Sequence, residues 1–203
     1  MTERVVRLDS GLTVAIDEMA STRSASIGVW VGVGSRDEPD ACSGVSHFLE
    51  HLLFKGTDRL TAREISRRVD RVGGDINAYT SKEHTVFHCR VPARYVADSI
   101  AILGDVICSP SLRAEDVESE RQVISEELAM DDDSPEDVAF REFTSALFSG
   151  HPRRFRATAS TGTSRWALLR FRRSSTVLER PRVTLCSVRH WSRPGHRHRE
   201  DRG

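Results

Sequence analysis

The sequence predicts an α+β fold in which an antiparallel or mixed sheet packs against helices. Segments with apolar side chains at every second position open the chain and return near its middle, which is typical of strands. Segments with helical spacing lie between and after them. The composition changes near residue 152, which separates this folded pattern from an Arg-rich tail.

Four segments are predicted as strands. Residues 5–8 and 12–16 flank a turn and predict a hairpin. Within residues 25–33, one face carries apolar side chains at a period of two, which predicts a third strand; these are Ile27, Val29, Val31 and Val33. Residues 75–91 return to strand character, and the polar residues 80–83 predict a bend that divides them into two strands.

Five segments are predicted as helices. Thr61 and Glu64 form a capping box, and Ser134 followed by Pro135 is a typical helix start. The run Gly73-Gly74 ends one helix and Ser109-Pro110 ends another. The predicted helices span residues 43–54, 61–72, 92–107, 114–130 and 135–148.

The charges of the chain are separated along its length. Residues 153–203 hold 14 Arg, no Lys and three acidic residues, a net charge of +11, and residues 1–152 carry −11. We interpret residues 1–152 as one domain and residues 153–203 as a disordered or poorly packed basic tail. A GC-rich gene read out of frame yields this Arg-, Ser-, Pro-, Gly- and His-rich composition, so we hypothesise a frameshift near codon 153. The alternative is a genuine divergent basic tail.

Several classes of function are disfavoured. The tail lacks Lys and has few aromatic residues, so we expect no nucleic-acid partner. The N-terminus is polar and no apolar run is long enough to span a bilayer, so we expect a cytoplasmic protein without a membrane partner. No disulfide framework or thiolate metal site is expected, because no CxxC pair occurs among Cys42, Cys89, Cys108 and Cys186.

The segment of residues 46–52 carries a metal-binding pattern. His47 and His51 are four residues apart on a predicted helix, and at about 100° per residue their imidazoles share one face. Two imidazoles so placed can bind one zinc ion. Glu50 lies beside them, where it can act on a water molecule. This H-x-x-E-H order is the inverted form of the H-E-x-x-H zinc motif.

Residues 44–57 closely resemble the signature helix of the pitrilysin or insulinase family of zinc metallopeptidases, and most nearly its mitochondrial processing peptidase type and the bacterial relatives of that type. Four further segments agree in order and spacing, and the resemblance covers residues 4–152. It implies the N-terminal half-domain of such an enzyme, without the second homologous half that closes over the substrate. The agreeing segments are residues 28–36, 73–80, 83–85, and Glu120 together with residues 126–130.

The resemblance also implies roles for single residues. The family has a third zinc ligand, a glutamate on a later helix, and the spacing from Glu50 leads to Glu127 rather than its neighbour Glu126. Glu120 is seven residues before Glu127 and shares its helix face, where it would orient the ligands. The strand containing Asn77 and Ala78 would bind an extended peptide by edge pairing, although a plain edge strand explains these residues almost as well. His84 and His88 are interpreted as strand-face residues rather than ligands.

The implied function is that of a zinc metalloendopeptidase. His47, His51 and Glu127 would bind Zn²⁺ and leave its fourth position open for a water molecule that Glu50 activates. The partners implied are a peptide substrate and a second homologous half or subunit. Two alternatives are a non-catalytic assembly subunit and a catalytically inactive, truncated homologue.

Overall fold

The computed structural model describes residues 2–39, 42–148 and 183–186. It contains strands β1 (Thr2–Arg7), β2 (Thr13–Glu18), β3 (Ser24–Val31), β4 (Asp75–Thr80), β5 (Thr85–Pro92) and β6 (Val183–Cys186). Its α-helices are α1 (Val45–Leu53), α2 (Ala62–Asp70), α3 (Val96–Cys108), α4 (Ala114–Asp133) and α5 (Pro135–Leu147). The predicted α+β class is confirmed, and each predicted strand and helix is present with shifts at its ends.

The strands form one mixed sheet in the order β1-β2-β6-β3-β5-β4. The hairpin of β1 and β2 is antiparallel, as are β3 with β5 and β5 with β4. Strand β6 lies parallel to β2 and antiparallel to β3. Strand β4 is therefore an outer strand of the described sheet.

Strand β6 is a departure from the sequence analysis. We interpreted residues 153–203 as a disordered or poorly packed tail, yet residues 183–186 pair with both β2 and β3. The sequence pattern did not indicate this strand, because a run of four residues is too short to show the period of two that is typical of strands. The rest of the predicted tail, and the hypothesis of a frameshift near residue 153, lie outside the described residues.

The main core lies between the sheet and the helices. The face of β3 and β5 that carries Ile27 and Phe87 packs against Ile65 of α2 and Leu103 of α3, and all four side chains are buried. The thiol of Cys89 belongs to the same core, and burial raises its pKa, so it is a packing residue rather than an exposed nucleophile. None of the described helices has the length and apolar character needed to cross a membrane.

A smaller cluster joins α1 to α4. Phe48 and Leu52 of α1 contact Ile124 of α4, and each of the three is at most 3% exposed. Burial of each such side chain contributes about 1.5–3 kcal/mol. This contact fixes α4 beside α1, so that acidic residues of α4 lie next to the two histidines of α1.

Candidate metal centre

Helix α1 begins without a side-chain cap of its own. Its N-cap residue is Gly44, whose φ of 88° lies in the left-handed region that favours glycine. The buried carboxylate of Glu38 replaces the cap from outside the helix. It accepts hydrogen bonds from the backbone N–H of Gly44 at 2.6 Å and of Ser46 at 2.7 Å. The negative charge also faces the positive end of the helix dipole, so Glu38 fixes the start of the helix that carries the H-x-x-E-H motif.

The two histidines of α1 and one glutamate of α4 converge. The Nε2 atoms of His47 and His51 are 3.2 Å apart, and their rings meet edge to face. Oε2 of Glu127 is 3.8 Å from Nε2 of His47 and 3.7 Å from Nε2 of His51. Donor atoms bound tetrahedrally to one zinc ion lie about 3.4 Å apart. The three donors therefore fit a single zinc ion with shifts of a few tenths of an ångström.

Among the described residues, His47, His51 and Glu127 are the group whose donor atoms lie within 4.8 Å of one another. All three side chains are partly exposed, as a site reached by substrate requires. Glu126, the alternative considered from the sequence, is exposed on α4 and does not belong to this group.

Glu120 lies behind His51. Its side chain is only 3% exposed, and its Oε2 is 3.2 Å from Nδ1 of His51. A carboxylate at this distance accepts the Nδ1 proton, which leaves the lone pair of Nε2 for a metal. Lys55, just after α1, forms an ion pair with Oε1 of Glu120 and compensates the buried charge. Glu120 was predicted to lie beside the ligands, whereas Lys55 was not, because nothing in the local pattern links residue 55 to α4.

Glu50 is held from the sheet. The hydroxyl of Thr80, the last residue of β4, donates a hydrogen bond of 2.6 Å to Oε2 of Glu50. Within the described part of the chain, Oε1 has no protein hydrogen bond. From the sequence, Thr80 was assigned to a bend and to the family-like segment 73–80 but to no role in the site, because its hydrogen bond to a residue 30 positions earlier is a tertiary contact.

Asn77 and Ala78 lie on the outer strand β4, as the edge-pairing interpretation requires. The N–H of Ala78 donates to Oδ1 of Asn77 at 2.8 Å. The rings of His84 and His88 lie 6.0 Å and 6.4 Å from the ring of Tyr79 and outside the metal-binding group.

The family model for insulinase, peptidase family M16, matches residues 13–159 of the chain. The chain belongs to the insulinase family.

An insulinase-family relative in Mycobacterium leprae, named an uncharacterized zinc protease, is 47% identical over 145 residues, which are 71% of this chain and 33% of the relative. A protease from Helicobacter pylori has a solved structure with a TM-score of 0.80 and 28% identity, covering 92% of this chain and 46% of that one. Pitrilysin shares the fold, with a TM-score of 0.78 at 22% identity over 95% of this chain and 21% of pitrilysin. The chain spans about a third of the length of the Mycobacterium leprae relative.

Proposed function

We propose that this insulinase-family domain is the zinc-binding, catalytic part of a metalloendopeptidase that hydrolyses extended peptides. The observation that carries the proposal is the convergence of two imidazoles and one carboxylate at distances that suit one zinc ion. Relatives named zinc proteases support it. Three protein donors leave a tetrahedral ion one open position, which is typical of catalytic rather than structural zinc.

His47, His51 and Glu127 would hold the zinc ion. Zinc bound there would supply a Lewis acid that polarises the scissile carbonyl and acidifies water. Glu50 would take the proton from the attacking water and then donate it to the leaving amine. Glu120 would keep His51 in the tautomer whose Nε2 is free, and Lys55 would keep Glu120 compensated.

The substrate would bind to β4 as an added strand. Strand β4 is an outer strand of the described sheet, and Asn77 and Ala78 lie within it. The N–H of Ala78 is engaged by its neighbour Asn77, so peptide binding would exchange this local hydrogen bond for one to the peptide backbone. Such pairing reads the backbone and selects extended peptides.

The proposal includes a second homologous half or subunit. The chain spans 33% of the Mycobacterium leprae relative, and a second half or subunit would supply further residues for binding the substrate. The proposed location is the cytoplasm, and neither nucleic acid nor membrane is a proposed partner.

Zinc content and hydrolysis test the proposal together. The purified full chain should bind about one zinc ion per monomer. Internally quenched peptides should be cleaved by the zinc-loaded chain and not after chelation. Glu50→Gln keeps the shape of the side chain and removes its basicity, so it should retain zinc and lose hydrolysis.

Three outcomes are informative. Hydrolysis that persists in Glu50→Gln contradicts the role of Glu50. Zinc bound without hydrolysis would favour a non-catalytic subunit, or a chain that is inactive without its second half. Absence of zinc from well-folded protein would refute the metal centre.

A further inference from the structure

Thr80 connects the sheet to the proposed general base. Its hydroxyl donates to Oε2 of Glu50 at 2.6 Å, in a partly buried position. Two bonds separate the hydroxyl from the Thr80 backbone, so the carboxylate of Glu50 is tied closely to the end of β4. A β-branched side chain has few χ1 rotamers, which keeps this tie stiff.

The backbone of Thr80 lies on the free edge of β4. The N–H of Ser81 donates to the carbonyl oxygen of His84 at 2.8 Å, so Ser81 directs its N–H toward the β5 side. Backbone groups alternate in direction along a strand. Those of Ala78 and Thr80 therefore point away from β5, toward the edge where a peptide would pair.

Thr80 thus lies between the proposed base, Glu50, and the proposed peptide. The backbone of Thr80 lies at the edge proposed for the peptide, and its side chain lies on the half-buried face that contacts α1. We propose that Thr80 is a positioning residue: it holds Glu50 by Oε2, leaves Oε1 for the water, and sets the base in register with a peptide on β4. This inference rests on the proposed function, because it concerns the same base and substrate.

Loss of the Thr80 hydroxyl should therefore lower kcat and leave zinc content and KM nearly unchanged. Loss of the hydroxyl leaves the three zinc donors untouched, so zinc content should stay constant. Peptide pairing uses backbone groups that a side-chain change retains, so KM should change little. The base loses its fixed orientation, and a misplacement of about 1 Å at a reacting group lowers the rate by about 100-fold.

Thr80→Val and Thr80→Ser test the proposal. Val keeps the shape and removes the hydroxyl, whereas Ser keeps the hydroxyl. We expect Thr80→Val to lower kcat about 10- to 100-fold with KM within about threefold of the original value, and Thr80→Ser to recover most of kcat. Thr85→Val is the matched control, since it removes a hydroxyl that donates to the Val33 carbonyl oxygen at 3.0 Å in the cross-strand neighbour of Thr80. It should leave kcat unchanged.

A structural readout separates this inference from the proposed function. Crystal structures of the zinc-loaded chain should show one Glu50 conformer in the original protein and in Thr80→Ser, and a displaced or multiple conformer in Thr80→Val. If the original chain binds zinc but cleaves no peptide, it is a non-catalytic subunit or is inactive without its second half, and these structures still decide whether Thr80 positions Glu50. An unmoved Glu50 in Thr80→Val, an undiminished kcat, or a Thr80→Ser variant as defective as Thr80→Val would each overturn it.

Discussion

Removal of the Glu38 carboxylate should destabilise the helix that carries the metal-binding motif. The carboxylate accepts two backbone N–H groups at 2.6 Å and 2.7 Å and is almost entirely buried. Each hydrogen bond to a charged acceptor contributes about 1.5–3 kcal/mol, and water entering the vacated space restores part of that. We therefore expect Glu38→Ala to lower the free energy of unfolding by about 3 kcal/mol.

Glu38→Gln should cost less. It keeps one acceptor oxygen, turns an NH₂ group toward the second backbone N–H, and removes the charge that faces the helix dipole. The expected loss is about 2 kcal/mol. A small domain has a total stability of about 5–15 kcal/mol, so either loss is readily measured.

Urea unfolding followed by circular dichroism measures these differences, with zinc affinity measured in parallel by competition with a chelator. Both variants should bind zinc more weakly, because the histidines depend on an ordered α1. The control is Glu118→Ala, whose side chain is 77% exposed and forms a surface ion pair with Arg121, and it should change stability by less than about 0.5 kcal/mol. A loss in Glu38→Ala as small as that of the control would refute the capping role.

Three further predictions concern single side chains. Glu127→Gln should weaken zinc binding by at least about tenfold in a chelator competition, whereas Glu126→Gln should leave it unchanged; equal effects would contradict the assignment of the third ligand. Lys55→Met should destabilise the chain by about 2 kcal/mol in urea because it leaves the carboxylate of Glu120 buried without its counter-charge, and a neutral result would show that the ion pair carries no net energy. The hydrogen bond from the Thr61 backbone holds the pKa of the Glu64 carboxyl below its ordinary 4.5. Glu64→Gln should therefore be less stable than the original chain by its full amount above that pH, and the difference should disappear as pH falls through the lowered pKa. A difference in urea midpoint that does not change with pH would disprove this.

Local features of the fold were predictable from the sequence. The cap of α2 by Thr61 requires only the residue three positions later, and both halves of that capping box are present. The H-x-x-E-H motif likewise lies within one helix, so the shared face of its histidines follows from helical geometry alone.

Contacts between elements were harder to predict. The roles of Glu120 and Glu127 were predicted from a resemblance to known zinc peptidases, not from a periodic pattern. No local pattern indicates the contacts of Glu38, Lys55 and Thr80, because each contact spans a loop, joins two helices or joins a helix to the sheet. The long-range pairing of β6 could not be read from a four-residue run in an Arg-rich segment.

The position of β6 has a consequence for synthesis of the chain on the ribosome. Thr13 of β2 and Trp30 of β3 both pair with Thr184, although neither pairs with the other. The hairpin of β1 and β2 can form as soon as it emerges from the ribosome. Strand β6, which pairs with β2, is translated about 170 residues later, and such distant pairing slows folding. Until β6 is translated, the edges of β2 and β3 that pair with it are exposed, and chaperones or other chains would bind at these unpaired edges.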